Sequence, residues 1–268
     1  MPDRSLLEPT ARRDLHVFYV LDTSGSMVGA PIQILNQAMQ ETVRALEKVA
    51  KKNGDAQLKL SILEFNTLVK WMHQAGPQKV EDFTWYDLTA GGLTQIGAAL
   101  DELNAKLTRK EFMKSESGTL LPIIIFMTDG HPTDDYQKSL DEIKQNKLFR
   151  RASKIGFAVG EHADAEMIAH LTGDSEAVIR TNNLALFAKL LQFVSVTSSV
   201  IASTSQISGG PISNGRTALK QALEETGVDA SEINPGFVYY DAETTLLDDQ
   251  AVNDTTDIIW EDSDDDEW

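Results

Sequence analysis

The chain has 268 residues, enough for one sizeable α/β core with an appendage, and its formal charge of −17 is concentrated: 16 acidic against 2 basic residues from Ser205 onward place −14 there. With no basic cluster, the sequence lacks the electrostatic footprint of phosphate-backbone binding, so neither nucleic acid nor an anionic membrane is expected as a partner. The absence of cysteine excludes disulfides, thiolate zinc sites, iron–sulfur clusters and a cysteine nucleophile.

Residues 1–13 read as an arm with no apolar stretch of signal-peptide length, and the longest purely apolar run, residues 120–127, falls well short of the roughly 18 residues of a membrane span. A cytoplasmic location is expected. Residues 15–21 (LHVFYVL) are β-branched and aromatic and read as a first strand. A polar, glycine-containing turn follows, then a long amphipathic helix opening at Pro31, where a missing N–H is no loss. Ile34, Ala38, Thr42, Ala45 and Val49 recur at helical spacing, flanked by Leu35, Met39 and Leu46, and Asn53-Gly54 ends the helix. Strands are expected at 57–65 and 68–73, joined by Asn66-Thr67 as the tight connection of antiparallel neighbours.

The glycine-rich stretch at 90–94 (AGGLT) opens a helix over 95–107, and residues 122–127 (PIIIFM) read as a strand covered on both faces. A helix at 136–150, a strand at 154–159, a helix at 165–171, a strand at 177–180 and a helix at 184–199 complete the series. This alternation implies a doubly wound, mostly parallel central sheet with one antiparallel edge strand and helices on both faces, occupying residues 14–204. Ligands of such sheets sit beyond the carboxyl ends of the strands. Residues 205–240 read as a linker with one short helix at 217–226, and residues 241–268 as an acidic tail expected to stay disordered unless something binds it.

Three separated pieces converge on that end of the sheet. Asp22, Ser24 and Ser26 follow the first strand directly, Thr94 lies in the glycine loop ahead of a helix, and Asp129 ends the apolar central strand. Two carboxylates and three hydroxyls make a set of hard oxygen donors suited to Mg²⁺, with no histidine or thiolate required. Each piece has a plainer reading by itself: Asp22, Ser24 and Ser26 as helix N-cap residues, Thr94 as a cap before the helix at Gln95, and Asp129-Gly130 as a turn pair. The five histidines, His16, His73, His131, His162 and His170, show no ligand spacing, and His131 reads as a turn residue ahead of Pro132.

The order Asp-x-Ser-x-Ser, distant Thr, distant Asp resembles the metal-ion-dependent adhesion site of the von Willebrand factor type A (vWA) family, over roughly residues 14–200. The resemblance implies Ser24, Ser26 and Thr94 as direct ligands of Mg²⁺, with Mn²⁺ or Ca²⁺ as the other candidates, and Asp22 and Asp129 as direct or water-mediated ones. It also implies a non-catalytic interaction module in which a partner's Asp or Glu completes the ion's coordination. The start VFYVLDTSGSM is most like bacterial TerY-like members, linked to tellurite resistance and stress response, which implies a protein kinase and a protein phosphatase as partners. Within the same family, a subunit tethering clients to an AAA+ ATPase or chelatase is the other binding role.

The competing enzymatic reading is a metal-dependent phosphohydrolase with Asp22 as nucleophile, as in haloacid-dehalogenase-like phosphatases. Those carry Asp-x-Asp, and Ser24 here removes the acid; no Walker loop, GxSxG elbow or HExxH is present either. The tail ends DIIWEDSDDDEW, and its carboxylates and apolar anchors mark it as a competing ligand for the metal.

Overall fold

A computed structural model of the chain describes residues 12–54, 56–208 and 215–228. The acidic tail at 241–268, and with it the expectation that it competes for the metal, lies outside the described residues, as do most of the N-terminal arm and part of the linker.

Seven strands form one sheet: β1 (Arg13–Asp22), β2 (Ala56–Phe65), β3 (Val69–Trp71), β4 (Gln78–Lys79), β5 (Ile123–Thr128), β6 (Ser153–Val159) and β7 (Val178–Thr181). Their order is β3-β2-β1-β5-β6-β7. The pairs β1–β2, β1–β5, β5–β6 and β6–β7 are parallel, as the intervening helices require. β3 returns antiparallel on β2 after Asn66, whose side chain accepts from the Leu68 N–H at 2.9 Å; β4, two residues long, adds a second antiparallel pairing to the same strand. The winding of the sheet switches sides between the parallel neighbours β1 and β5, so the crevice for a ligand opens at the carboxyl ends of those two strands.

β1 shows why its residues are apolar without alternation. Leu15, Val17, Tyr19 and Leu21 enter one core with α1 (Ala30–Lys52), α6 (Leu184–Ser208) and α7 (Gly215–Thr226). Phe18 and Val20 enter the other, with α2 (Ile96–Lys106), α3 (Tyr136–Ile143), α4 (Lys147–Arg151) and α5 (Ala165–Thr172). Along α1 the buried line runs through Leu35, Ala38, Met39, Thr42 and Leu46, while Ile34, Ala45 and Val49 are half-buried, so the stripe is rotated slightly from the one read in sequence.

The single helix expected at 136–150 is instead two. Asn146 interrupts it: its Oδ1 accepts from the N–H groups of Leu148 and Phe149 and so caps α4, while its Nδ2 donates to Asn104 Oδ1 and the Leu107 carbonyl. The last helix of the series runs to Ser208, beyond the expected Ser199. Its stretch Leu184–Thr204 is long and apolar enough to cross a membrane, and it lies against α1, α7 and the sheet with Phe187, Leu190, Leu191 and Val194 fully buried. α7 packs against α6 and β6; Arg216 grips Asp174 through two hydrogen bonds of 3.1 Å, and Lys189 Nζ donates to the Thr226 carbonyl.

His16 is the one histidine inside the sheet. It stacks on Phe18 with ring centroids 6.1 Å apart, and neither ring nitrogen has a hydrogen-bond partner. Burial, reinforced by the positive charge of Lys59 and opposed by Asp14, holds its pKa down at about 4 against 6.5 for a free histidine. The unfolded chain therefore binds more protons between those two values, and stability falls as pH drops from 6.5 to 4, by about 3 kcal/mol for this group. Denaturant melts at pH 7 and pH 4.5 check this: His16→Phe loses less stability across the interval than the parent chain does.

Candidate metal centre

Asp22 is the last residue of β1 and is wholly buried. The β1–β5 register sets Leu21 opposite Met127, which puts Asp22 beside Thr128. Both oxygens of its carboxylate are engaged: Oδ1 accepts from the Ser24 N–H at 2.7 Å and Oδ2 from the Thr128 hydroxyl at 2.5 Å. Burial raises its pKa, with the Asp129 charge adding to the effect and the hydrogen bonds from Thr128 and Ser24 opposing it. Asp129 is raised by burial too, opposed by the Ser26 hydroxyl and by His162.

Beyond Asp22 the chain turns through a short 3₁₀ segment, Gly25–Met27, anchored by the fully buried Met27. The turn presents Ser24 Oγ and Ser26 Oγ 3.0 Å apart, and Ser26 donates to Asp129 Oδ1 at 2.6 Å. A hydroxyl has one proton, so Ser26 donates to Asp129 and Ser24 donates to Ser26. Thr94 comes from a different loop and reaches the same spot: a β-carbon on Gly130 would stand 3.7 Å from Ser26 Oγ and 3.9 Å from Thr94 Oγ1. Asp22, Ser24, Ser26, Thr94 and Asp129 thus meet at one end of the sheet, grading from the buried Asp22 to the exposed Ser26.

The plainer capping readings do not hold. Ser24 stands at the N-cap of the 3₁₀ turn without a side-chain cap bond, α1 starts from Gly29, and α2 starts from Gln95, again without one. Asp134 serves α2 instead, its Oδ2 accepting from the Ala98 N–H at 3.1 Å. His131, read as a turn residue, has Nδ1 3.1 Å from Asp164 Oδ2.

The two loops that carry the hydroxyls are tied together by backbone. Gly25 N–H donates to the Gly92 carbonyl at 3.0 Å, and Gly91 N–H donates to the Thr23 carbonyl at 2.9 Å. Gly92 has φ +84°, and a β-carbon there would drive into the Thr67 hydroxyl, which itself accepts from the Leu93 N–H. At Gly25 a β-carbon would stand 3.2 Å from the Gly92 carbonyl, so this crossing too favours glycine. Gly91 has open space around it, so the close approach within this loop is made at Gly92. Thr94 is fixed on its other side by Thr133, which takes the Thr94 N–H on its hydroxyl at 3.0 Å and returns its own N–H to the Thr94 carbonyl at 2.9 Å. Thr133 and Asp134 carried no signal in the sequence, because their role depends on which residues the loop after β5 meets.

Among the described residues no three His, Cys, Asp or Glu side chains gather into a metal-binding cluster, so the donors at this end are hydroxyl-rich. Residues 16–193, more than half of the chain, match the sequence profile of the von Willebrand factor type A domain. The chain belongs to the vWA family. Domains of this family are typically interaction or adhesion modules with a metal site. Among solved structures, this vWA chain is similar to proximal thread matrix protein 1 of the mussel byssus with a zinc-occupied MIDAS motif, at 17% identity, covering 69% of this chain and 48% of that one with a TM-score of 0.51. It is similar to a von Willebrand factor type A protein from Catenulispora acidiphila at 15% identity, over 70% and 43% of the two chains, with a TM-score of 0.51. The pilus adhesin SpaC from Lactobacillus rhamnosus GG, in its open conformation, shares 11% identity over 70% and 30%, with a TM-score of 0.53. At these identities the likeness is one of fold, and the chain spans less than half the length of each of the three.

Among the described residues, the Thr128 hydroxyl is the side-chain donor that β5 supplies to the Asp22 carboxylate. Thr128→Val keeps the shape and removes that donor, which leaves a buried carboxylate oxygen unpaired and costs about 1–3 kcal/mol. Equilibrium denaturation of the two chains measures the loss, and an unchanged midpoint would contradict the role given to Thr128.

Proposed function

We propose that this vWA domain binds Mg²⁺ through Ser24, Ser26 and Thr94, with Asp22 and Asp129 behind them, and uses the ion to grip a carboxylate of a partner protein. The observation that carries this reading is the hydroxyl series Ser24, Ser26, Asp129, in which each hydroxyl gives its proton to its neighbour and keeps a lone pair for a cation. Bound there, a divalent cation supplies a positive charge with an open coordination position, to which an Asp or Glu side chain can join. Neutral hydroxyls with two carboxylates behind them are hard oxygen donors, which supports Mg²⁺, with Mn²⁺ and Ca²⁺ as the other candidates.

Asp22 does not suit the nucleophile of a phosphohydrolase. It is wholly buried and both of its oxygens accept hydrogen bonds, so its part is to orient Ser24 and to hold the strand ends together. The likeness of VFYVLDTSGSM to TerY-like members supports a place in a bacterial stress response, with a protein kinase and phosphatase as the partners to look for.

Thermal melts with and without metal test the binding. Mg²⁺ at about 100 times its dissociation constant stabilises the chain by about 2.7 kcal/mol. Ser24→Ala combined with Ser26→Ala abolishes this shift and leaves the far-ultraviolet circular dichroism spectrum unchanged; a shift of the same size in the double variant would overturn the assignment. A second assay separates the enzymatic alternative: the chain does not turn over p-nitrophenyl phosphate in Mg²⁺, and a turnover that vanishes in Asp22→Asn would reinstate it.

A further inference from the structure

Five large hydrophobic side chains are exposed among the described residues: Val28, Leu68, Tyr86, Leu93 and Val200. Three of them stand at this end of the sheet, at 61%, 73% and 51% exposure for Val28, Leu68 and Leu93: Val28 follows Ser26, Leu93 precedes Thr94, and Leu68 lies on the β2–β3 turn packed against the glycine loop. The loops touch one another. Val28 N–H donates to the Gly25 carbonyl, Gly25 N–H to the Gly92 carbonyl, Leu93 N–H to the Thr67 hydroxyl, and Gln95 N–H to the Asn66 carbonyl. Leu93 directly precedes Thr94, and Leu68 directly follows the threonine that holds Leu93. These segments, 23–33, 66–69 and 89–97, contain no Lys, Arg, Asp or Glu; the loop after β5 adds Asp129, His131, Asp134 and Asp135 but no Lys or Arg, and Lys70, next along β3, is paired with Glu64 at 3.0 Å. A surface that borders a cation site, exposes aliphatic side chains on one side of it and acidic ones on the other, and offers no unpaired Lys or Arg has a definite preference. It takes one carboxylate at the metal and covers the rim with apolar groups; additional acidic residues gain nothing from it.

We propose that Val28, Leu68 and Leu93 form an apolar rim that selects its partner, a segment of another protein in which a single Asp or Glu stands between aliphatic side chains. This rests on the metal reading above and adds the sequence context of the partner carboxylate.

Fluorescence anisotropy with synthetic nine-residue peptides tests it on the full chain in Mg²⁺ and in EDTA. The peptides carry a central Glu flanked by Leu, by Ser or by further Glu. The Leu-flanked peptide binds about tenfold or more tightly than the Ser-flanked one, since burial of even one leucine is worth that much. In the chain carrying Leu68→Ser and Leu93→Ser the preference disappears while the Mg²⁺-induced thermal shift remains. Equal binding of Leu- and Ser-flanked peptides, tightest binding of the Glu-rich peptide, or an intact Mg²⁺ shift with no peptide bound would overturn the rim while leaving the metal site standing. Loss of the Mg²⁺ shift in the parent chain would bring down both readings. Mg²⁺-dependent self-association on size exclusion, abolished by Leu68→Ser with Leu93→Ser, would assign the rim to a second copy of this chain and overturn the proposal.

Discussion

The carboxylate of Asp22 is the hinge of the arrangement. It is wholly buried at the point where the sheet's winding reverses, and it has to be satisfied by the protein because water does not reach it. Ser24 N–H provides one bond from the loop that follows it, and Thr128 provides the other from the adjacent strand. The first bond bends the chain so that Ser24 and Ser26 project together; the second keeps the ends of β1 and β5 aligned so that Asp129, one residue past Thr128, comes within reach of Ser26. A change that leaves Asp22 unsatisfied therefore acts on the fold and on the hydroxyls at once.

Much of the fold was legible because the strands that matter most are buried on both sides. Runs such as 15–21 and 122–127 have no alternation to misread, and the helix opening at Pro31 carries its own start and stop. The parts that escaped are those set by distant neighbours. Asn146 divides a helix because Asn104 of α2 and Leu107 just past its end receive its amide, a contact with no trace in the local spacing. The helix expected to end at Ser199 continues as α6, where Ser195, Ser199 and Ser203 each return their hydroxyl to a carbonyl four residues earlier and stay buried. β4 is two residues long, too short for any period to show.

For the metal centre, the five oxygen-bearing residues were readable in order along the chain, since hard donors after three strand or loop boundaries are a distinctive pattern. Their scaffolding was not. Thr128 draws its importance from strand register, Thr133 from the path of the loop after β5, and Thr67 from its fit beneath Gly92. A single sequence shows which atoms are present at such a site; which of them are free to bind depends on hydrogen bonds made across the fold.

The borders of the sheet bear on how this molecule meets others. On one side β3 and β4 contribute three and two residues and carry Lys70 and Lys79; on the other, β7 is four residues long and exposes Arg180. Short borders with charged side chains resist the addition of a foreign strand. Backbone-to-backbone annexation, a common route by which sheet proteins recruit extended chains, is thereby closed off on both flanks, and recognition is left to side chains and loop tips.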